Sequence, residues 1–220
     1  MSVAARISHY NLSMDFRIGL GFDSHAFKQG VPLVIGGLKI DHPEGLAGHS
    51  DGDLLLHAIT DALLGAVSAG DIGTFFPPTD PKWKGADSTV FLKTALEEIA
   101  LAGYKIVNLD CVLVMHRPKI VPIAADLRER VADLLHLDIK RVSIKGKTPE
   151  GLGHDGTAVA HVVVLLQALE LPEDPAKLVL TAEAPTDADI DAALSTIAAD
   201  PHDISALGRK RSPFSTDDLT

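Results

Sequence analysis

Arg17-Ile18-Gly19-Leu20-Gly21-Phe22-Asp23-Ser24-His25 reads as a β-strand that ends in chemistry. Arg17 to Phe22 is the strand, and Asp23 and His25 are alternate residues at the close of the apolar run from Phe16 to Phe22. In an extended chain, residues i and i+2 point to the same face, so both side chains can reach one point. His57 lies in the middle of a helical pattern that follows Gly48-His49-Ser50-Asp51-Gly52-Asp53, and it offers a third donor. Two imidazoles and a carboxylate suit zinc with one coordination position left open, as in a catalytic site. A plainer reading stands beside this one. Asp-x-His can be a hydrogen-bonded pair at a strand end, and His57 a core histidine.

Working outward, Pro32 to Ile40 predicts a second strand, with Gly30 at a hairpin-like turn before it. Leu55, Leu56, Ile59, Leu63 and Leu64 recur at helical spacing and predict a helix over 53–69, capped by Asp51 or Asp53 and ended by Gly70. The stretch from Asp71 to Pro81 holds three prolines and a glycine, which forbids a long regular element. Asp87 or Ser88 is expected to cap a second helix that runs to about Ala102. Tyr104 to Met115 reads as a strand, Pro118 suits the first turn of a third helix reaching Leu135, and Arg141–Lys145 and Thr157–Leu166 read as two more strands. The order predicts an α+β chain: one two-layer domain over 16–171, with a mixed sheet of four to five strands covered by helices on one face. The strands are apolar on both sides, so the second face needs a cover. An oligomer packed sheet to sheet supplies it.

The 220 residues carry a net charge of −10 and are 46% hydrophobic. This excludes a general nucleic-acid or anionic-membrane binder, both of which need a basic face. Residues 1–15 show no long apolar run, which leaves a flexible extension and a cytoplasmic protein as the expectation. The one cysteine, Cys111, sits in an apolar strand pattern and reads as a small core residue of a reducing compartment. Residues 172–220 hold 10 acidic against 4 basic residues and form an acidic, flexible tail with one short amphipathic helix over 187–199.

Further groups carry both a functional and a plain reading. His49 and Ser50 precede a helix, where an anion is favoured, though Ser50 or Asp51 can also simply cap. Arg117-Pro118-Lys119 and Lys145-Gly146-Lys147-Thr148-Pro149-Glu150 are cationic turns. They suit either a solvated surface or a phosphate and base pocket, with Glu150 as a hard oxygen ligand for Mg²⁺.

These residues, with Thr60-Asp61-Ala62-Leu63-Leu64-Gly65, Gly70-Asp71-Ile72-Gly73, Phe76-Pro77, Asp80-Pro81, Lys84-Gly85-Ala86-Asp87-Ser88, Asn108-Leu109-Asp110 and Thr148-x-Glu150-x-Leu152-Gly153, stand in an order that resembles the 2-C-methyl-D-erythritol 2,4-cyclodiphosphate synthase family over about residues 16 to 170. The resemblance implies a homotrimer with sites between neighbouring subunits and a cytidine diphosphate substrate. It implies Zn²⁺ or a similar ion on Asp23, His25 and His57, and Mg²⁺ or Mn²⁺ on Glu150. It implies transition-state contacts from His49 and Thr148. Substrate contacts are implied for Ser50, Asp61, Asp71, Gly73, Phe76, Asp80, Pro118, Lys119, Ile120, Val121, Gly146, Lys147 and His154.

The chain departs from the family pattern at Lys147 and Pro149, where threonines are usual, and at Pro78 in place of an aspartate. The segment Gly153 to Ala160 is shorter by about three residues and lacks the usual Arg and Glu. A zinc-dependent phosphoester hydrolase and a trimeric binding protein that kept the fold remain as rival readings.

Overall fold

The computed structural model describes residues 15–151 and 156–169. The expected acidic tail with its helix over 187–199, most of the N-terminal extension and His154 lie outside the described residues. In chain order the elements are β1 (Phe16–Gln29), β2 (Leu33–Ile35), β3 (Leu38–Ile40), β4 (Glu44–Leu46), α1 (Leu54–Ala66), the short α2 (Ile72–Phe75), α3 (Thr89–Leu101), β5 (Tyr104–Val114), α4 (Ala124–Leu134), β6 (Val142–Lys147) and β7 (Thr157–Ala168). Single 3₁₀ turns lie at Pro81–Trp83, Val121–Ile123 and Ile139–Arg141.

The main sheet has the order β4-β1-β7-β5-β6. β5 and β6 run parallel, and the other pairs are antiparallel. The mixed five-stranded sheet and the single helical layer are as the residue pattern predicts. Gly21 pairs with Val162, and Val162 and Ile144 both pair with Cys111. This row faces the helices, where Val162 and Cys111 are fully buried and Ile144 nearly so. Burial pushes the Cys111 thiol up to about 12. A thiol so rarely ionised, and sealed from water, is expected not to react with Ellman's reagent in the folded protein at pH 8, and to react fully in denaturant.

Gly19 and Gly21 set the distance between the two layers. A β-carbon on Gly21 would lie 1.7 Å from the carbonyl oxygen of Ala58, and one on Gly19 1.8 Å from that of Ala62. The backbone of α1 therefore rests directly on the backbone of β1. On the other face of the same strand Ile18, Leu20 and Phe22 are 73%, 69% and 53% exposed, next to Val163 on β7. None of the described helices covers this apolar strip.

Three expectations need correction. Pro32 to Ile40 is not one strand but the hairpin β2–β3, a separate two-stranded sheet. Its turn uses Gly36 and Gly37 at φ 61° and 75°, a conformation that costs glycine little. The apolar run hid the turn because both glycines sit inside it. β1 pairs with β4 across the Gly30 turn, not with the segment that follows directly. The third helix starts at Ala124, after a 3₁₀ turn that carries Pro122 in its first positions. Pro118, expected in that first turn, instead follows Arg117 through a cis peptide bond in the connecting loop.

Candidate metal and active site

The strand alternation that buries Gly19 and Gly21 continues into Asp23 and His25, so both point to the helix side. His57 sits one turn into α1, one residue before the Ala58 carbonyl that touches Gly21. The absent side chains on β1 are what bring His57 within reach of the strand.

The N-terminus of α1 is fixed by Asp53, which is fully buried. Its carboxylate accepts from Leu55 N and Leu56 N at 3.1 Å, as a cap does. It also accepts from Gly36 N at 2.8 Å and Gly37 N at 2.6 Å, the turn of the β2–β3 hairpin. Burial pushes the Asp53 carboxyl up, against the pull of these N–H groups. One side chain thereby caps the helix and latches a hairpin to it.

Asp23 Oδ2 lies 2.8 Å from His25 Nε2 and 2.9 Å from His57 Nδ1, and the two nitrogens are 3.3 Å apart. The side chains are 23%, 16% and 11% exposed, so the cluster is sunk but open to one side. Ligands at about 2.0–2.1 Å from a tetrahedral zinc are separated by about 3.3 Å. The triad is thus almost at coordination spacing. The remaining ring nitrogens are also committed. His25 Nδ1 lies 2.6 Å from the carbonyl oxygen of Ala47, which accepts its proton and leaves Nε2 with a free lone pair. His57 Nε2 lies 2.9 Å from the hydroxyls of both Ser50 and Ser88. The donor set, its spacing and its tautomers fit a divalent cation.

Burial pushes the Asp23 carboxyl up, but hydrogen bonds from His25 and His57 outweigh it and hold the group well below the usual carboxylate range. The bond to Asp23 raises His25. A proton on His25 does in the metal-free cluster part of what a cation does when bound, so protons and metal compete for it.

Asp61 lies one turn beyond His57 and accepts from Ile72 N at 2.8 Å; burial pushes its carboxyl up. Asp71 caps α2 and accepts from Thr74, and Gly73 lies within that turn. The Phe76 ring lies 4.5 Å from that of Phe91, tilted by 43°, and the Phe91 ring is 5.9 Å from His57. Asp80 caps the next 3₁₀ turn. His49 is exposed on the loop before α1, and its carbonyl holds Gly85 N at 2.8 Å.

A second group forms a cleft of about 450 Å³ lined by Met115, Lys119, Ile120, Val121, Gly146, Lys147, Thr148 and Glu150. Thr148 donates to the Glu150 carboxylate. Pro118 belongs to the same turn. Met115 is a lining residue that the sequence reading missed, since it looked like the last core residue of a strand.

The protomer does not bring the two groups together. His25 pairs with Ala158 on β7, while Lys147 and Val159 both pair with Val114 on β5. The triad and the cleft therefore stand at the same end of the sheet, three strand spacings or about 14 Å apart. Within one chain Thr148 and Glu150 are distant from the metal-binding triad, as sites shared between neighbouring subunits require.

Comparison with known proteins identifies the family. The YgbB family model matches residues 16–167. The chain is 65% identical over 151 residues to the 2-C-methyl-D-erythritol 2,4-cyclodiphosphate synthase of Koribacter versatilis, covering 69% of this chain and 97% of that one. The chloroplastic synthase of Oryza sativa is 47% identical over 157 residues, covering 70% of this chain and 71% of that one. Among solved structures, a CDP-bound form of such a synthase superposes with a TM-score of 0.65 at 44% identity, over 68% of this chain and 99% of that chain. A Plasmodium falciparum IspF–CDP complex gives 0.61 at 34%, over 70% and 96%. With a matching family model over most of the chain and such relatives, the chain belongs to the YgbB family of 2-C-methyl-D-erythritol 2,4-cyclodiphosphate synthases.

Proposed function

We propose that the chain converts 4-diphosphocytidyl-2-C-methyl-D-erythritol 2-phosphate to the 2,4-cyclodiphosphate and CMP, a step of isoprenoid biosynthesis. The observation that carries this reading is the Asp23–His25–His57 triad at coordination spacing, within the collinear family match. An oxygen of the 2-phosphate attacks the β-phosphorus. The bond from that phosphorus to the bridging oxygen breaks, and CMP leaves with the oxygen. Two anions are pressed together, so the site must neutralise charge and fix an in-line approach. Zn²⁺ on Asp23, His25 and His57 supplies Lewis-acid neutralisation and orientation when bound.

The chain's own groups divide the remaining work. Ser50 faces the 2-phosphate. His49 and Thr148 contact the transition state. Glu150 would hold Mg²⁺ or Mn²⁺ through its carboxylate oxygens, and the ion would supply charge neutralisation for the substrate phosphates. The cleft of Ile120, Val121 and Gly146, with Pro118 beside it, holds cytosine, and Lys119 and Lys147 meet its phosphates. Asp71, Gly73, Phe76 and Asp80 contact the substrate, and Asp61 lies near the ribose or the metal. We assign His154 to the substrate set as well.

The separation of about 14 Å between triad and cleft supports a homotrimer, in which a neighbour's cleft completes each triad. The exposed strip of Ile18, Leu20, Phe22 and Val163 supports the same assembly, because water contact with so much apolar surface is costly. We place the catalytic domain at residues 16–171, between an N-terminal extension of residues 1–15 and an acidic tail of residues 172–220. No described helix is long and apolar enough to cross a membrane. A cytoplasmic location is supported by the lone buried thiol.

The deciding assay supplies the diphosphocytidyl substrate with Zn²⁺ and Mg²⁺ and follows phosphorus NMR. Equal release of CMP and cyclic diphosphate is expected. Free phosphate would mean a hydrolase, and an unchanged substrate a binding protein. Gly146→Ala tests the cleft: its β-carbon would lie 2.7 Å from Ile120 Cβ. KM is expected to rise about tenfold with zinc content unchanged, as read by steady-state kinetics and metal analysis.

A further inference from the structure

Ser88 occupies the N-cap position of α3 yet makes no capping bond with its side chain. Asp87 takes that work, accepting from Thr89 N at 2.9 Å and Thr89 Oγ1 at 2.7 Å. The Ser88 hydroxyl is fully buried and turned elsewhere: it donates to Asp51 Oδ1 at 2.5 Å and lies 2.9 Å from His57 Nε2. Asp51 is itself fixed. Its Oδ2 accepts from Ser88 N at 3.1 Å, its Oδ1 from Asp53 N at 3.2 Å, and its backbone N–H donates to Ala86 O at 3.0 Å.

A hydroxyl has one proton. With that proton committed to the Asp51 carboxylate, Ser88 Oγ can only accept from His57. His57 then donates from Nε2 to Ser88, and a metal that takes the place of the hydrogen bond between His57 Nδ1 and Asp23 meets the Nδ1 lone pair. We propose that Ser88 and Asp51 are positioning residues: the chain Asp51–Ser88–His57 fixes the tautomer and ring orientation that make His57 a metal ligand. The inference rests on the metal reading of the triad. Ser50 Oγ is equally near His57 Nε2, but Ser50 is only half-buried, has no carboxylate to take its proton, and is free to turn to substrate.

Asp51→Asn is the informative change. An amide in that place can donate to Ser88 Oγ, which frees the serine proton to point at His57 Nε2. That drives the imidazole proton to Nδ1, where the metal should bind. Ser88→Ala removes the acceptor but keeps the bond from Ser88 N to Asp51.

The test measures zinc dissociation constants of the full chain by competition with a chromophoric chelator, alongside the melting temperature of the zinc-free protein. Ser88→Ala and Asp51→Asn are expected to weaken zinc binding about ten- to a hundredfold, with Ser88→Thr near the natural affinity and Ser50→Ala within about twofold of it. Zinc-free melting temperatures should stay close to that of the unaltered chain. Unchanged affinity in both Ser88→Ala and Asp51→Asn overturns the inference. So does weakening that only follows lost zinc-free stability and is not restored by Ser88→Thr, which is the signature of loop support alone. If Ser88→Ala does not fold, Asp51→Asn decides by the same criteria. Failure of the metal reading is distinct: the unaltered chain would then bind no zinc, and the positioning role would fall with it.

Discussion

Gly21→Ala is expected not to reach the native fold. The new β-carbon would stand 1.7 Å from Ala58 O and 2.9 Å from Ala62 N, both backbone atoms of α1. A flexible side chain could turn aside; a helix backbone cannot. Relief would need the whole of α1 to lift from the sheet, opening the core around Leu55, Ile59 and Leu63, which are fully buried. The cost is about 4 kcal/mol or more, at the far end of what single substitutions do. That is comparable to the whole stability of many domains. The expected readout is insoluble protein, or a soluble product without a cooperative thermal transition. Gly65→Ala is the contrast. Gly65 lies in the same helix, is exposed, and has nothing within 4 Å of a β-carbon. It should gain about 0.5–1 kcal/mol from better helix propensity. A folded, active Gly21→Ala protein would show that the close contact of α1 and β1 is not required.

His57→Ala is expected to fold and to lose zinc. It removes one of three groups that could hold a metal and leaves Asp23 and His25 as a two-point site, too few to hold zinc tightly. Metal analysis should fall from about one zinc per chain to a small fraction. Without several kcal/mol of Lewis-acid stabilisation, CMP release should drop at least about a thousandfold. The ring is 11% exposed and lies 2.9 Å from Asp23 Oδ2, so the zinc-free protein should still fold, with a lowered melting temperature that marks the lost contacts. Zinc content equal to that of the unaltered chain would remove His57 from the metal site.

The two predictions concern one contact. The glycines that let α1 lie on β1 are also what put His57 over Asp23 and His25. A larger residue at Gly21 therefore damages the fold and the site together, while His57→Ala damages the site in a protein that still folds.

Much of this was legible in the residues. Alternation along β1 placed Asp23 and His25 on one face, because strand geometry has a period of two. The helical spacing of Leu55, Leu56, Ile59, Leu63 and Leu64 gave α1, and the glycine and proline run after Gly70 correctly forbade a long element there. The apolar outer face of β1 calls for a cover from its residue pattern alone. Other features were illegible for physical reasons. Gly36 and Gly37 sit inside an apolar run, and only their positive φ reveals the hairpin. Ser88 and Asp51 both looked like caps, since a cap and a partner of a distant histidine use the same small polar side chains. Which strand carries Thr148 and Glu150 relative to the triad, three positions along the sheet, depends on the pairing order and could not be read from residue types.

The sequence by itself determined the elements, the face on which each ligand lies and the family to which the chain belongs, because these depend on local periodicity and on residue identity. Tertiary structure alone decided the distances. It closed His57 onto Asp23 and His25 through two missing side chains on β1, turned the Ser88 hydroxyl from its helix to His57, and separated the cleft from the triad. Each of these is a meeting of atoms remote in the chain, fixed by the packing of α1 and α3 against the sheet and by the pairing order of its strands.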